Sequence, residues 1–273
     1  MDKKIITKVA LIFVAMVGTC WACCCIKSSS SLREKEVKPD PVEAVLKQLN
    51  QKTTELKSYE GQIEYRFSQP LFESETLRKG VLYYARFDKK KSKLRINFQT
   101  LKQDDEKEQK EIVQFIFDGV WLTQIDYQIE AVKLYQLTDP NEYKDANEPK
   151  DAFELVSRNF PIIGFAKIKD LKRQFEIKLV EPQKEEPKNL IHLHLKVKAD
   201  SAYKDDYTYI DFWIDKKLGL PTKIVAISTE QDIHQIKLHK PKVNKKLDTK
   251  VFEFKIPSGF GKPEIIPLKK KSK

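Results

Sequence analysis

Beyond Cys25 the 273-residue chain has no cysteine; all four, Cys20, Cys23, Cys24 and Cys25, fall in its first 25 residues. A globular part without thiols has no disulfide staple and no thiol chemistry, and it can occupy an oxidising compartment without mispairing. Glycine and proline are scarce, at 8 and 13 residues, which excludes a low-complexity chain. The G-x-S-x-G elbow, the G-x-x-x-x-G-K-[ST] loop and the G-x-G-x-x-G loop are all missing. With them go the usual serine-hydrolase, phosphate-loop and dinucleotide readings. What the chain has in excess is positive charge, +11 overall. Its lysines are spread over loops and strand faces, whereas nucleic-acid binding calls for a clustered footprint. An anionic membrane surface suits a dispersed basic exterior better, each nearby lysine adding about 1 kcal/mol.

The first 26 residues read as a targeting segment, with Lys3, Lys4 and Lys8 before the apolar run Val9–Gly18. A lipoprotein signal needs a small residue before the cysteine that is lipidated. Ala22–Cys23 supplies that pair and is the favoured register; Thr19–Cys20 is the alternative. Two other readings stay open, ordinary secretion and an uncleaved anchor, since Val9–Ile26 is uncharged and approaches the ~20 residues a spanning helix needs. All three place the remainder outside the cytoplasm. Residues 27–40 form a polar, serine-rich tether.

The folded part is expected at 41–261, followed by a basic, disordered tail at 262–273. Pro41–Lys57 reads as a helix, capped by Asp40 and carrying the apolar stripe Val42, Val45, Leu46, Leu49 and Leu56. Period-2 alternation then marks strand after strand. Ile63, Tyr65 and Phe67 share a face, as do Leu94, Ile96 and Phe98, and Ile210, Phe212 and Ile214. In Lys79–Phe87, Val81, Tyr83, Ala85 and Phe87 lie on one side and Leu82 and Tyr84 on the other, so this strand is covered on both faces. Thr222–Ser228, with Lys223, Val225 and Ile227 on one side, and Asp232–His239, with His234, Ile236 and Leu238 together, continue the series. Asp118-Gly119 is a turn signal. Asp151–Phe160 reads as a short helix, and Ile162–Phe165 as an apolar link that is either a lid edge or packed core. Arg173–Val180 and Leu190–Ala199 are further strands. Asp248 caps one helical turn, after which Phe252 and Phe254 share one side of a short final strand. The expected class is mainly β with some α: a large curved antiparallel sheet of about eleven strands, an incomplete barrel, with an N-terminal helix and short lid helices.

Two stretches carry a resemblance. A strand ending in Asp215, then Gly219-Leu220-Pro221, two more strands, and Phe252-x-Phe254-x-x-Pro257-x-Gly259 follow in order. Asp118, Gly119, Trp121 and Tyr127 mark a hairpin series upstream, with Asp126-Tyr127-Gln128 where the pattern often has Tyr-Asp-Pro. Together they resemble the bacterial lipoprotein-carrier family, the LolA/LolB type, over roughly residues 41–260. The resemblance implies a monomeric, non-enzymatic protein without cofactor that holds the acyl chains of lipoproteins or phospholipids in a hydrophobic cavity at the cell envelope. It also implies a lid contacted by an arginine at the end of the second long strand. Arg86 is the nearest match, with Phe87 where the family has proline. The cavity lining would be drawn from Ile63, Tyr65, Phe67, Tyr83, Leu94, Ile96, Phe98, Trp121, Phe153, Phe212 and Ile236, the same residues that a filled core would use. A membrane-anchored lipoprotein would resemble the receptor type. An envelope sensor or interaction protein, and a general lipid or glycolipid transporter, use the same fold and remain alternatives.

Two chemical readings compete weakly. His192 and His194 point the same way from a strand and could be half a metal site, but alternation alone explains the pair. Asp205, Asp206, Asp211 and Asp215 suggest a carboxylate pair for hydrolysis, yet nothing marks the apolar pocket that one of them would need.

Overall fold

The computed structural model describes residues 40–87, 91–141, 151–157, 168–182 and 187–268. The targeting segment, nearly all of the tether and the link Ile162–Phe165 lie outside them. Helix α1, Pro41–Thr54, begins where Asp40 accepts a hydrogen bond from the Val42 amide and proline occupies the first turn. Its face with Leu46 and Leu49 is buried.

Twelve strands follow: β1 Ser58–Gln69, β2 Ser74–Arg86, β3 Ser92–Gln103, β4 Gln109–Phe117, β5 Trp121–Asp126, β6 Ala131–Gln136, β7 Phe175–Val180, β8 Leu190–Val197, β9 Tyr207–Asp215, β10 Pro221–Ser228, β11 Ile233–Val243 and β12 Glu264–Ile266. They form one sheet in the order β12-β6-β5-β4-β3-β2-β1-β11-β10-β9-β8-β7. Every pairing is antiparallel except β12 with β6. The sheet does not close, so it is an incomplete barrel. Two short helices whose bounds lie among the described residues accompany it, α2 at Ala152–Val156 and α3 at Ile168–Gln174.

Cross-strand register decides which side chains share a face. Tyr84, Leu82 and Gly80 on β2 stand opposite Leu94, Ile96 and Phe98 on β3. They also stand opposite Tyr59, Gly61 and Ile63 on β1. The row continues through Ile236, Ile224, Phe212 and Leu193. This inner face, with α1 and α2 against it, is the main core. Gly80 is required where β2 meets a register shift in β3, because a Cβ there would lie 1.9 Å from the Asn97 carbonyl oxygen.

The Asp215–Pro221 stretch is a turn whose residue types are explained by its geometry. The Asp215 carboxylate accepts from the amides of Lys217 and Leu218, Gly219 takes a φ of +66°, and Leu220 is buried.

The C-terminal segment corrects two expectations. Asp248 does cap a single turn, Thr249–Phe252, but Phe252 and Phe254 are not in a strand. They belong to a strap crossing the outer face, held by Arg95, whose Nη1 donates to the carbonyls of Val251 and Glu253 at 2.7 and 3.0 Å. Phe254 and Phe260 cover a second, smaller cluster of Ile116, Ile125 and Val132. The tail is not wholly disordered, since Glu264–Ile266 is β12, whose Ile266 and Glu264 pair with Tyr135 and Lys133. A free sheet edge offers unpaired amides and carbonyls, and that demand outweighs the polar composition of the tail. The strand expected at Arg173–Val180 starts only at Phe175; Arg173 and Gln174 end α3.

Candidate functional site

The inner face closes at one end through Arg86, the last residue of β2. Its Nη1 donates to the Thr54 carbonyl at 2.7 Å, at the C-terminus of α1, where carbonyls lack helical partners. Its Nη2 lies 3.4 Å from the Thr53 carbonyl and 3.1 Å from Asp151 Oδ2. Asp151 is the N-cap of α2, with its other oxygen taking the Phe153 amide at 3.1 Å. The Tyr84 hydroxyl donates to the same Oδ2 at 2.7 Å, and burial raises its pKa, so the hydroxyl keeps its proton. The buried Ser92 hydroxyl accepts the Ala152 amide at 2.8 Å. One arginine therefore ties β2, α1 and α2 together, and Phe153 is stacked on Tyr84 with ring centroids 4.5 Å apart.

Eight of the expected lining residues meet on this face. Ile63, Leu94, Ile96, Phe98, Phe153, Phe212 and Ile236 are buried there, and half-buried Tyr65 packs against them. Phe67 continues the row at the far end, half-buried, its ring 4.8 Å from that of His234. Two residues are placed elsewhere. Tyr83 stands across from Glu60 and Arg95 on the outer face, and Tyr84 takes the inner position. β2 is apolar on both faces, so alternation had no power to choose between Tyr83 and Tyr84. Trp121 faces outward from β5, opposite Gln136. The outer face there carries its own apolar cluster under the strap, so a large aromatic residue is no mark of the inner face.

Sequence reasoning passed over the polar members of the inner face. Arg78 stands beside Tyr65, and Glu111 pairs with it at 2.7 Å. The Tyr65 hydroxyl and His234 Nδ1 are 2.8 Å apart. Burial lowers the His234 pKa from its ordinary value, against the opposing pull of Asp232. His234 was visible in the same alternating set as Ile236 and Leu238, and that was its only signal.

The histidine pair turns outward. His192 Nε2 and His194 Nδ1 each lie 2.9 Å from a single oxygen of Asp211. His192 is stacked on Trp213 at 4.2 Å, and Lys223 sits over the Trp213 ring at 4.0 Å. Among the described residues no group of three or more His, Cys, Asp or Glu is arranged to hold a metal ion. Asp215 is occupied in its turn, so neither of these aspartates stands in an apolar pocket. An open depression of 530 Å³ beside the strap, lined by Lys93, Asp118, Phe252, Glu253, Phe254 and Lys255, belongs to the outer surface and not to the inner face. Leu71 and Phe72, in the turn between β1 and β2, are 79% and 74% exposed.

No family model matches the sequence, and no curated protein does. Solved structures match the fold at a distance. An uncharacterized conserved protein from Thermus thermophilus is 10% identical with a TM-score of 0.45, over 84% of this chain and all of that one. MucB in its complex with MucA from Pseudomonas aeruginosa is 12% identical with a TM-score of 0.40, over 79% of this chain and 62% of that one. A LolA superfamily protein from Nitrosomonas europaea is 11% identical with a TM-score of 0.34, over 78% of this chain and 97% of that one.

Proposed function

We propose that the chain binds and transfers lipoproteins by their acyl chains at the bacterial cell envelope, without catalysis, while anchored to a membrane through lipidated Cys23 (Cys20 in the alternative register). The observation that carries this reading is the Arg86 junction. A five-residue helix whose aromatic side chain lies on the inner face is held by a small set of polar contacts, those of Asp151 and Ala152 at its N-terminus and one Ser157–Tyr203 hydroxyl contact at its C-terminus, which suits a cover that must open. Opening α2 breaks the Asp151 contacts and lifts Phe153 off Tyr84. An acyl chain then takes the place of Phe153 against Tyr84, Leu94 and Ile96. Burying methylenes returns about 0.8 kcal/mol each, so roughly four to eight of them offset the two hydrogen bonds to Asp151, ~1.5–3 kcal/mol apiece. Longer chains bind with a surplus, and the junction sets a threshold on chain length.

The exposed Leu71 and Phe72 favour a second reading, an interaction protein that uses this apolar tip to meet a partner. Native mass spectrometry of residues 33–273 mixed with a triacylated lipopeptide and a phospholipid separates the readings. Stoichiometric retention of the lipopeptide is the expected result. Retention of phospholipid alone turns the proposal into general lipid transport, and retention of neither by the folded protein leaves the interaction reading.

A further inference from the structure

The inner face of β2 carries an arginine at each end of the aromatic row. Arg86 has all its neighbours in the junction. Arg78 is eight residues earlier on the same face, about 26 Å away along an extended strand. Its Nη2 is held by Glu111 at 2.7 Å. Its Nη1 is buried, and among the described residues it has no hydrogen-bond partner. Guanidinium nitrogens cannot shed their protons, so this is a permanent donor turned away from water with nothing to accept from it.

Its surroundings are amphipathic. Tyr65 is its β1 neighbour and Leu101 its β3 neighbour. The Tyr65 ring lies 6.2 Å from those of Phe98 and His234, and Phe98 meets Phe115 edge-on at 6.3 Å. Glu111 fixes one side of the planar fork and leaves the other side for a second acceptor. Arg78 and Glu111 are 25% and 17% exposed, so the pair lies near the surface while Nη1 itself is covered.

We propose that Arg78 is the head-group residue of the acyl site. It takes the oxyanion of an amphiphile, a phosphate or a carboxylate, whose tail lies along β2 toward Tyr84 and Arg86. This rests on the acyl-binding reading above and adds to it the residue that takes the head of an amphiphile whose head is anionic. Glu111 acts as the positioning residue, and its charge disfavours dianions and bare small anions that lack a tail to hold them.

The test is calorimetric titration of residues 33–273, all of Pro39–Lys273 being one unit. Dodecyl phosphate, laurate, dodecyl maltoside and inorganic phosphate are each added below micellar concentration. A charge-assisted hydrogen bond predicts that one or both anionic amphiphiles bind about ten- to a hundredfold more tightly than dodecyl maltoside. The relative affinities of dodecyl phosphate and laurate tell which head is preferred. Arg78→Gln abolishes the preference while dodecyl maltoside binding stays within about twofold, and Arg78→Lys restores part of it. Should Arg78→Gln fail to fold, Arg78→Gln/Glu111→Gln leaves no unpaired charge and serves the same comparison. Equal affinity for the dodecyl amphiphiles, or a preference that survives in Arg78→Gln, overturns the head-group assignment and leaves the acyl site standing. Inorganic phosphate binding as tightly as dodecyl phosphate overturns it in favour of a free-anion site. Failure of every amphiphile to bind overturns the acyl-binding reading and this inference with it.

Discussion

Asp151 has three tasks at the junction, because one carboxylate caps α2 and also accepts from Arg86 and Tyr84. Replacing it with asparagine keeps the shape and removes the charge. Asp151→Asn is expected to cost about 1.5–3 kcal/mol, read as a lower urea midpoint at unchanged slope, and to speed release of a bound acyl probe. His234 gives a pH dependence of definite sign. Burial depresses its folded pKa below the ordinary 6.5, so the unfolded chain takes up the proton first as the solution is acidified. Its contribution to stability is complete above 6.5 and is lost as pH falls through the depressed folded value. Thermal midpoints should therefore drop on acidification, and His234→Gln should flatten that part of the profile.

Among the elements, the strap from Thr249 to Ile266 is the one whose placement depends most on a single side chain. Arg95 donates to two strap carbonyls, to Asn97 Oδ1 at 2.6 Å and to Gln114 Oε1 at 2.9 Å. Arg95→Ala is expected to cost about 1.5–3 kcal/mol in denaturant unfolding and to raise hydrogen exchange in the amides of the strap and β12. The strap also shows where the sequence was readable and where it was not. Alternation in β1, β3, β9 and β11 grouped the residues that share the inner face, because the opposite positions are mostly polar or charged, with Tyr209 and Trp213 on β9 the aromatic exceptions. In β2 both faces are apolar, and in β5 the apolar residues divide between the faces, Leu122 inside and Ile125 outside, so the choice rests on which element packs where, information held in α2 and in the strap. Arg86 was picked out only through the family resemblance, as the nearest match to an arginine at the end of the second long strand. Its partner Asp151, 65 residues away, was visible only as the first residue of an expected short helix. Arg78 and Glu111 were invisible as a pair, since their meeting depends on the register shifts between β2, β3 and β4.

At the scale of the whole molecule, the chain is one open antiparallel sheet. Its inner face is apolar, one end is fastened through Arg86, and the other carries Arg78, Tyr65 and His234. The outer face is closed separately by the strap. This two-sided construction explains why a chain with +11 net charge can still hold two apolar clusters. The account stands on an acyl chain lying along the inner face. The most direct measurement is photocrosslinking with a long-chain fatty acyl probe bearing a diazirine near its end, followed by peptide mapping of the adducts. The account predicts adducts on inner-face residues such as Ile63, Tyr65, Ile96 and Phe98, competed away by unlabelled acyl ligand. Adducts confined to Leu71, Phe72 and the outer-face residues Tyr83 and Trp121 would contradict it.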